Sequence, residues 1–255
     1  MSPLEQQSIL QLAMATGELL LTSGAETYRV EETINRMCHS RGVQSECFVT
    51  PTVIMLTGTV DQQPLTVIKR VQPHAIDLHQ IDEANRFARD FSSQQMSLEQ
   101  AKHELESVRQ SVRYPLPISL LGGGLTVAGF SVLFGAPWSQ FPFGFVIGLS
   151  LQLFMVKIMP LRLNFFLRNI IASFVITLLV HMVDRLVSLA IDPMIIGAIM
   201  PLVPGVAITN SVRDTLSGDY LAGLTRASEA VFTALGIAFG VGVGLAVITG
   251  LGGLW

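Results

Sequence analysis

The stretch IDPMIIGAIMPLVPGVAITNSVRD, residues 191–214, decides the class of fold. It is apolar and long enough to cross a bilayer, but Pro201, Pro204 and Gly205 interrupt it near its middle. Proline lacks a backbone N–H and its ring clashes with the preceding turn. Carbonyl groups freed inside lipid persist only where protein, ligand or a water-filled cavity satisfies them. Secondary transporters often hold substrates and ions at such broken helices. The pattern thus has two interpretations, a simple proline kink or a functional break.

The composition and the charge distribution indicate a protein that is partly embedded in a membrane. Half of the 255 residues are hydrophobic and the mean hydropathy is +0.52, both high for a soluble protein. Residues 1–114 carry 14 of the 19 acidic and 10 of the 16 basic residues. This step predicts a soluble α+β domain over 1–114 and a helical transmembrane domain over 115–255, with the boundary near Tyr114–Pro115. The net charge of −3 gives no support for nucleic-acid binding.

Periodicity within the first 114 residues predicts the order ααβββαα. Apolar residues at helical spacing indicate a helix over 5–22, and Ser23 precedes a second helix that ends before Gly42. The segments rich in Val, Ile, Thr and Phe predict strands over 44–50, 52–60 and 65–71, with a hairpin turn at Asp61–Pro64. Two further helices are expected over 77–93 and 98–112, the second with Ser97 and Gln100 in capping-box spacing.

Five segments of the second half have the length and composition of membrane spans: 116–135, 141–160, 164–184, 191–210 and 221–250. Basic residues near the span ends predict the orientation, because cytoplasmic loops carry an excess of Lys and Arg. One side holds seven and the other only Arg185; the seven are Arg109, Arg113, Lys157, Arg162, Arg168, Arg213 and Arg226. The N-terminus is therefore expected in the cytoplasm, with Trp138 and Trp255 at the outer interface as aromatic anchors.

Glycine spacing predicts which spans pack closely against other helices. Span five contains Gly236, Gly240 and Gly244, two overlapping GxxxG units, and span one carries four glycines between residues 122 and 129. Small residues let membrane helices approach one another closely. Span five is therefore expected to pack against protein rather than lipid.

The candidate residues of a transport pathway cluster where spans four and five approach the cytoplasmic side: Asn210, Arg213, Asp214, Asp219, Arg226 and Glu229. An ionisable group at membrane depth is costly and by default suggests function. Glu229 lies about two turns into span five if that span starts at Leu221. If the span starts later, Arg226 and Glu229 would instead form an i,i+3 ion pair at the interface. His181, Asp184 and Arg185 read as interfacial residues.

No catalytic constellation is recognisable in the first 114 residues. His39, His74, His79 and His103 are scattered, and no metal-binding motif, nucleophile elbow or phosphate loop occurs. The sequence predicts no enzyme, no cofactor and no metal site. Cys38 and Cys47 lack metal-ligand spacing and are expected to be reduced and structural, as in the cytosol. The N-terminal segment lacks a basic region followed by an apolar core, so no signal peptide is expected.

Four segments carry a resemblance to a known family. They are SGAETYRVEE at 23–32, TPTVIMLT at 50–57, MPLVPGVAITNSVRD at 200–214 and SGDYLAGLTRASEA at 217–230. Over nearly its whole length the chain resembles the N-terminal half of the threonine/serine exporter (ThrE) family, which occurs alone in split, two-component systems of the YjjP type. The resemblance implies a functional role for Gly24, Arg29 and Glu31, which spacing alone assigns to a solvated helix start with i,i+3 ion pairs.

The resemblance implies an oligomeric, multi-pass exporter in the bacterial inner membrane, driven by ion gradients. Family members export threonine and serine, or small dicarboxylates such as succinate in split systems, where a second small membrane subunit is required. In this hypothesis the break at Pro201, Pro204 and Gly205 exposes backbone groups to the substrate. The alternatives are a metabolite-sensing subunit that gates a partner, and a membrane-anchored enzyme, which the lack of catalytic residues disfavours.

The residue types suggest roles in export. Arg213 or Arg226 would meet a substrate carboxylate, since a guanidinium offers a paired donor fork. Asp214 or Glu229 would carry a proton or balance an amino group. Asn210 would orient the substrate, and Asp219 lies within the same cluster.

Overall fold

The fold is taken from a computed structural model that describes residues 1–72, 76–94, 96–110, 114–158 and 164–252. His74, Arg113, Arg162 and Trp255, named above, lie outside the described residues. The chain forms two compact units. The first comprises Met1–Val112 and Ile208–Ala227, and the second comprises Arg113–Ala207 and Ser228–Trp255. The short segment 208–227 thus packs with the N-terminal part of the chain, although the apolar second half surrounds it in sequence.

The N-terminal part of the first unit has the predicted order of elements. Helices α1 (Pro3–Thr22) and α2 (Thr27–Ser40) precede strands β1 (Ser45–Thr50), β2 (Val53–Val60) and β3 (Gln63–Arg70). Helices α3 (Leu78–Ser92) and α4 (Leu98–Arg109) follow. Ser2 with Glu5, and Ser97 with Gln100, form capping boxes at the starts of α1 and α4, so the predicted start of α4 is confirmed.

The three strands form one antiparallel sheet in the order β1-β2-β3. One face carries Val49, Ile54 and Leu56 into a core shared with α1 and α2. Gly58 lies on this face, and a Cβ there would collide with the side chain of Leu10 on α1. The β2–β3 turn consists of Asp61 and Gln62, both with positive φ, as a two-residue type I′ hairpin requires. Strand β3 consequently begins at Gln63, two residues before the predicted start.

Both cysteines are free and buried in the first unit. Burial raises the pKa of the Cys38 thiol to about 11 and that of Cys47 to about 12. Because the thiolate is the reactive form, both thiols are less nucleophilic near neutral pH than an exposed cysteine. This agrees with the structural role expected from the sequence.

The second unit is built from apolar helices. They are α5 (Leu116–Leu133), α6 (Phe141–Ile158), α7 (Phe165–Asp184) and α8 (Ile191–Ile199), together with most of α10 (Tyr220–Gly252). A short 3-10 helix at Trp138–Gln140 leads into α6. Among the described residues, four segments are long and apolar enough to cross a membrane: Leu116–Leu133, Trp138–Lys157, Phe165–Asp184 and Tyr220–Gly250. They match predicted spans one, two, three and five.

Predicted span four is a broken helix. Helix α8 ends at Ile199, a 3-10 turn follows at Met200–Leu202, and Val203 is extended. Helix α9 (Gly205–Leu216) then continues in a direction bent by 54° from the first segment. Pro204 has no N–H to offer a preceding carbonyl, and the residue before a proline disfavours the helical conformation. The bent pair counts as a fifth candidate span if its two halves cross the membrane together.

Close approaches between helices of the second unit occur at glycines. A Cβ at Gly197 on α8 would collide with the backbone and hydroxyl of Ser131 on α5. On α10, Gly240 lies against Ser173 and the carbonyl of Ile170 on α7, and Gly244 lies against Thr177. The prediction that the glycine face of span five packs against protein is therefore confirmed, and its neighbour is α7.

Gly240 and Gly242 on α10 provide a matched test of this packing. Gly240→Ala places a methyl group against Ser173 and Ile170, whereas a Cβ at Gly242 meets nothing within 4 Å. We expect Gly240→Ala to lower the free energy of unfolding by about 1–3 kcal/mol through overpacking. Gly242→Ala should leave it nearly unchanged. Thermal unfolding of the two purified variants, followed by circular dichroism in detergent, measures the difference, and equal melting temperatures would contradict the assigned face.

Candidate functional site

The loop between α1 and α2, residues 23–26, is the centre of the most extensive polar network in the described parts of the first unit. Gly24 has φ +93° and lets the chain turn, while the Ala25 N–H caps α1 by donating to the Leu20 carbonyl. A turn of this kind leaves its own carbonyl groups without helical partners, and buried carbonyls must find others.

Each carbonyl of this loop accepts a hydrogen bond from a different part of the first unit. The Ser23 oxygen accepts from the Asp77 N–H at 3.1 Å, and the Glu26 oxygen accepts from the first turn of α2. The Gly24 oxygen accepts from the amide Nδ2 of Asn210 on α9 at 3.0 Å. The Ala25 oxygen accepts from a guanidinium nitrogen of Arg226 on α10 at 2.7 Å. Two of the predicted pathway residues, Asn210 and Arg226, therefore satisfy backbone carbonyl groups of the SGAETYRVEE motif.

Arg226 also forms a buried ion pair with Asp214. Its Nε lies 3.0 Å from Oδ2 of Asp214, and the two side chains are 10% and 0% exposed. The angle does not direct the N–H at that oxygen, so the contact is an ion pair without a linear hydrogen bond. Arg226 thus pairs with Asp214 on α9. It does not form the alternative i,i+3 ion pair with Glu229.

The buried hydroxyl of Thr27 lies between two carboxylates. Its Oγ1 is 3.1 Å from Oδ1 of Asp214 and 2.8 Å from Oδ2 of Asp219. A hydroxyl carries one hydrogen, so it can donate to only one of them at a time. The other oxygen of Asp219 caps α10 by accepting from the Ala222 N–H at 3.1 Å. The network therefore fixes where α10 begins.

The carboxylate of Glu26 bridges two arginines at the edge of the network. Arg213 donates to Oε1 at 2.6 Å, and Arg29 lies 3.6 Å from Oε2. Burial by itself would raise the pKa of Glu26. The hydrogen bonds from its own backbone and from Arg213, with the charges of Arg29 and Arg213, outweigh burial and lower the pKa below its ordinary value.

For Glu31 the effect of burial on the pKa outweighs the effect of its hydrogen bond. Burial, with a contribution from the charge of Asp219, raises its pKa, although its carboxylate accepts a hydrogen bond from the Val49 N–H on β1 at 2.7 Å. Glu31 therefore connects the α2 motif to the sheet. Of the three motif residues suggested by the family resemblance, Gly24 forms the turn, Glu31 anchors the helix, and Arg29 lies at the exposed edge.

Helices α9 and α10 approach each other at Gly223. A Cβ at this position would collide with the hydroxyl of Thr215, and the Gly223 carbonyl accepts a hydrogen bond from Ser211 at 2.8 Å. Between the helices Gly218 adopts φ +90°, and the Asp219 N–H donates to the Asp214 carbonyl. This tight turn brings Asp214, Asp219 and Arg226 to the same loop of α1 and α2.

The structure therefore brings together five of the predicted pathway residues, Asn210, Arg213, Asp214, Asp219 and Arg226, within the first unit. Glu229 belongs to the second unit, where its side chain is exposed and its carbonyl accepts from Thr233. Pro201, Pro204 and Gly205 also belong to the second unit and form the helix break.

The sequence analysis overlooked Glu26 and Thr27 as members of the site. Taken singly, they looked like a solvated helix start. The signal that could have found them was the joint presence of the polar family segment 23–32 and the polar residues within family segments 200–214 and 217–230, in a chain whose second half is otherwise apolar.

A second overlooked feature is a polar ladder along α7. Asn169, Ser173, Thr177 and His181 recur every four residues, and the first three are buried. The hydroxyls of Ser173 and Thr177 bond back to the carbonyls of Asn169 and Ser173 at 2.7 and 2.9 Å. The amide nitrogen of Asn169 is buried and has no hydrogen-bond partner among the described residues. A donor left unsatisfied in such surroundings is costly.

Comparison with known proteins decides the family. The sequence profile of the threonine/serine exporter family, ThrE, matches residues 11–248. The chain belongs to this family. It is 26% identical over 244 residues to the probable succinate transporter subunit YjjP of Klebsiella aerogenes, and the match covers 93% of each chain. No solved structure matches the chain.

Two other family members are longer than this chain. The probable threonine/serine exporter of Mycobacterium tuberculosis is 20% identical over 254 residues, and the threonine/serine exporter of Corynebacterium glutamicum is 23% identical over 247 residues. The matches cover 98% and 93% of this chain but only 48% and 50% of those proteins. The chain therefore spans about half the length of these relatives, which are named for export rather than for an enzymatic reaction.

Replacing Arg226 by methionine tests the buried ion pair. Arg226→Met leaves Asp214 buried and unpaired, so we expect a loss of about 3–5 kcal/mol in the free energy of unfolding. Arg213→Met is the matched control, because its side chain is 55% exposed, and should cost at most about 1 kcal/mol. Chemical unfolding in detergent compares the two variants. Asp214→Asn added to Arg226→Met should recover part of the loss, and equal losses in the single variants would contradict the pair.

The lowered pKa of Glu26 predicts a pH dependence of stability. A carboxyl whose pKa is lower in the folded than in the unfolded protein stabilises the fold above its ordinary value of 4.5. That contribution is lost as the pH falls through the lower folded pKa. We expect the difference in melting temperature between the wild type and Glu26→Gln to shrink from pH 7 to pH 3.

Glu99→Gln is the control, because this side chain is 86% exposed. It should differ little from the wild type across the same pH range. A wild-type advantage over Glu26→Gln that grows on acidification would show that the sign assigned to Glu26 is wrong.

Proposed function

We propose that this chain is a subunit of a secondary-active exporter of small amino acids or organic acids in the bacterial inner membrane. It would work with a second small membrane subunit and hold its N-terminus in the cytoplasm. Family membership and the apolar helices support export across a membrane. The relatives that the chain matches over nearly their full length are named as subunits, which supports a partner.

The observation that carries the proposal is a broken helix whose second half ends in a buried polar network. Helix α9 begins directly after Pro204, and Asn210, Arg213 and Asp214 follow within ten residues of that proline. Segments of helix interrupted within a membrane place their ends and unwound backbone at substrate and ion sites. Asn210, Arg213 and Asp214 on α9 are therefore the polar groups that we propose for substrate binding.

Within this network we assign the substrate carboxylate to Arg213 and a positioning role to Arg226. Arg226 is buried and committed to both Asp214 and the Ala25 carbonyl. Arg213 is half exposed, and its partner Glu26 also has Arg29. A substrate carboxylate could therefore replace Glu26 at Arg213 without leaving a buried charge unpaired. Asn210 holds the loop carbonyl of Gly24 and would orient the substrate from there.

The charges of the network favour coupling to a proton. Three guanidinium groups face four carboxyl groups, namely Arg29, Arg213 and Arg226 against Glu26, Glu31, Asp214 and Asp219. Full ionisation leaves one negative charge in excess, and the Thr27 hydroxyl can donate to only one of its two carboxylates. One added proton would remove the excess and give the second carboxyl a hydrogen to donate. Asp214 is our candidate for this proton, with Glu229 as the alternative site on α10.

Efflux from proteoliposomes tests the proposal. Vesicles preloaded with labelled threonine, serine or succinate would contain this chain alone, or this chain with a candidate small membrane subunit from the same genome. We expect efflux that depends on an imposed proton gradient and requires both proteins. Efflux from this chain alone would contradict the requirement for a second subunit. No efflux of any substrate from a folded pair would favour the sensing alternative.

Variants of the same pair test the assigned roles. Arg213→Ala removes the proposed carboxylate site and Glu229→Gln removes a proposed proton site, so each is expected to reduce efflux by about tenfold or more. Arg185→Ala is the control, because Arg185 is an exposed residue at the C-terminal end of α7. Efflux at the wild-type rate by both test variants, at equal protein levels, would overturn the roles of Arg213 and Glu229.

A further inference from the structure

A concave site in the first unit lies outside the network described above. The facing sides of α2 and α3 enclose a cavity of about 420 Å³. This volume falls within the range of roughly 300–1,000 Å³ that is typical of small-molecule sites. Arg29, Thr33 and Arg36 line it from α2. They are spaced i, i+4 and i+7, so they lie on one face of the helix.

The α3 side of the cavity presents three different polar groups in a row. Asp82, Asn85 and Arg89 are spaced i, i+3 and i+7 and offer a carboxylate, an amide and a guanidinium. Among the residues that the structure describes, none of these three side chains has a hydrogen bond or an ion pair. Two neighbouring charged residues on the same helix are paired with each other: Arg86 donates to Glu83 at 2.6 Å.

The two helices differ in how their charges are satisfied. On α2, Arg29 pairs with Glu26 and Arg36 pairs with Glu32 at 3.5 Å, so these arginines are already partly neutralised. On α3, Arg89 and Asp82 keep their charges available, and both side chains line the same cavity. A ligand with one negative and one positive group can therefore engage both.

We propose that this cavity binds a small zwitterionic amino acid. Its carboxylate would be held by Arg89, with support from Arg36, because guanidinium groups bind carboxylates through paired donors. Its ammonium group would be held by Asp82, and Asn85 and Thr33 would bond to a side-chain hydroxyl. A dicarboxylate fits less well, because its second carboxylate would face Asp82 and Glu32. The proposal concerns binding to this chain and does not depend on the chain's transport activity.

The site lies one ion pair away from the buried network. Arg29 lines the cavity and pairs with Glu26, and Glu26 accepts a hydrogen bond from Arg213. A bound carboxylate that competes for Arg29 weakens its hold on Glu26. Ligand binding at the cavity would thus change the charge environment of Glu26.

Isothermal titration calorimetry on the full chain in lipid nanodiscs tests the assignment. The probes are threonine, serine, succinate and inorganic phosphate. We expect threonine and serine to bind at least tenfold more tightly than succinate or phosphate. Tighter binding of phosphate or succinate would overturn the amino-acid assignment, and no binding of threonine or serine would overturn the site.

Three variants on α3 separate this cavity from any transport site. Arg89→Gln and Asp82→Asn are each expected to weaken threonine binding about tenfold. Arg86→Gln on the same helix should bind like the wild type, because Arg86 does not line the cavity. Full threonine affinity in Arg89→Gln, with Arg213→Ala abolishing binding, would place the ligand in the network of α9 and α10 and overturn the proposal. Unchanged thermal unfolding of each variant shows that the fold is retained.

The threonine affinity of a Glu26 variant tests the link between the cavity and Glu26. Glu26→Gln removes the partner of Arg29 and so releases a guanidinium at the cavity edge. We expect threonine to bind this variant about threefold more tightly, and an unchanged affinity would show that Arg29 takes no part in holding the ligand.

Discussion

The first unit depends on one constraint: the carbonyl groups of Gly24 and Ala25 must be satisfied where the chain turns from α1 to α2. In the part of the chain that the structure describes, no backbone N–H bonds to them, and side chains from α9 and α10 do so instead. The guanidinium of Arg226, which donates to the Ala25 carbonyl, is held in place by its ion pair with Asp214. Thr27 and Asp219 then follow as the residues that position Asp214 and begin α10. A backbone requirement thus accounts for a cluster of charges that would otherwise be expensive to bury.

Much of the fold could be predicted because local patterns determine it. Enrichment in Val, Ile, Thr and Phe identified β1 and β2, and capping-box spacing identified the start of α4. Proline chemistry located the end of α8, and the glycine spacing of α10 indicated a packed face. The two helix-interrupting prolines and the small residues act through short-range steric effects, which follow directly from residue type. These features could therefore be predicted from the sequence.

The network around residues 23–27 could not be predicted, because its partners are far apart in sequence. Thr27 and Asp219 are 192 positions apart, and nothing local distinguishes a buried Glu26 from a solvated one. Family resemblance pointed to both segments but not to their contact. The ladder on α7 failed for a different reason. Single Ser and Thr residues are common in apolar helices. Asn169, Ser173, Thr177 and His181 differ from such single residues only in that they recur every four positions.

The discontinuous make-up of the first unit has a consequence for biosynthesis. Gly24 leaves the ribosome 186 residues before Asn210, its hydrogen-bond partner. At about 5–20 residues per second, the N-terminal segment waits roughly 10–40 s for that partner. Three of the long apolar helices are translated during this interval. A chain that stops before α9 never acquires the side chains that close the α1–α2 turn. Completion of the first unit therefore requires that translation has passed the broken helix and the first turns of α10.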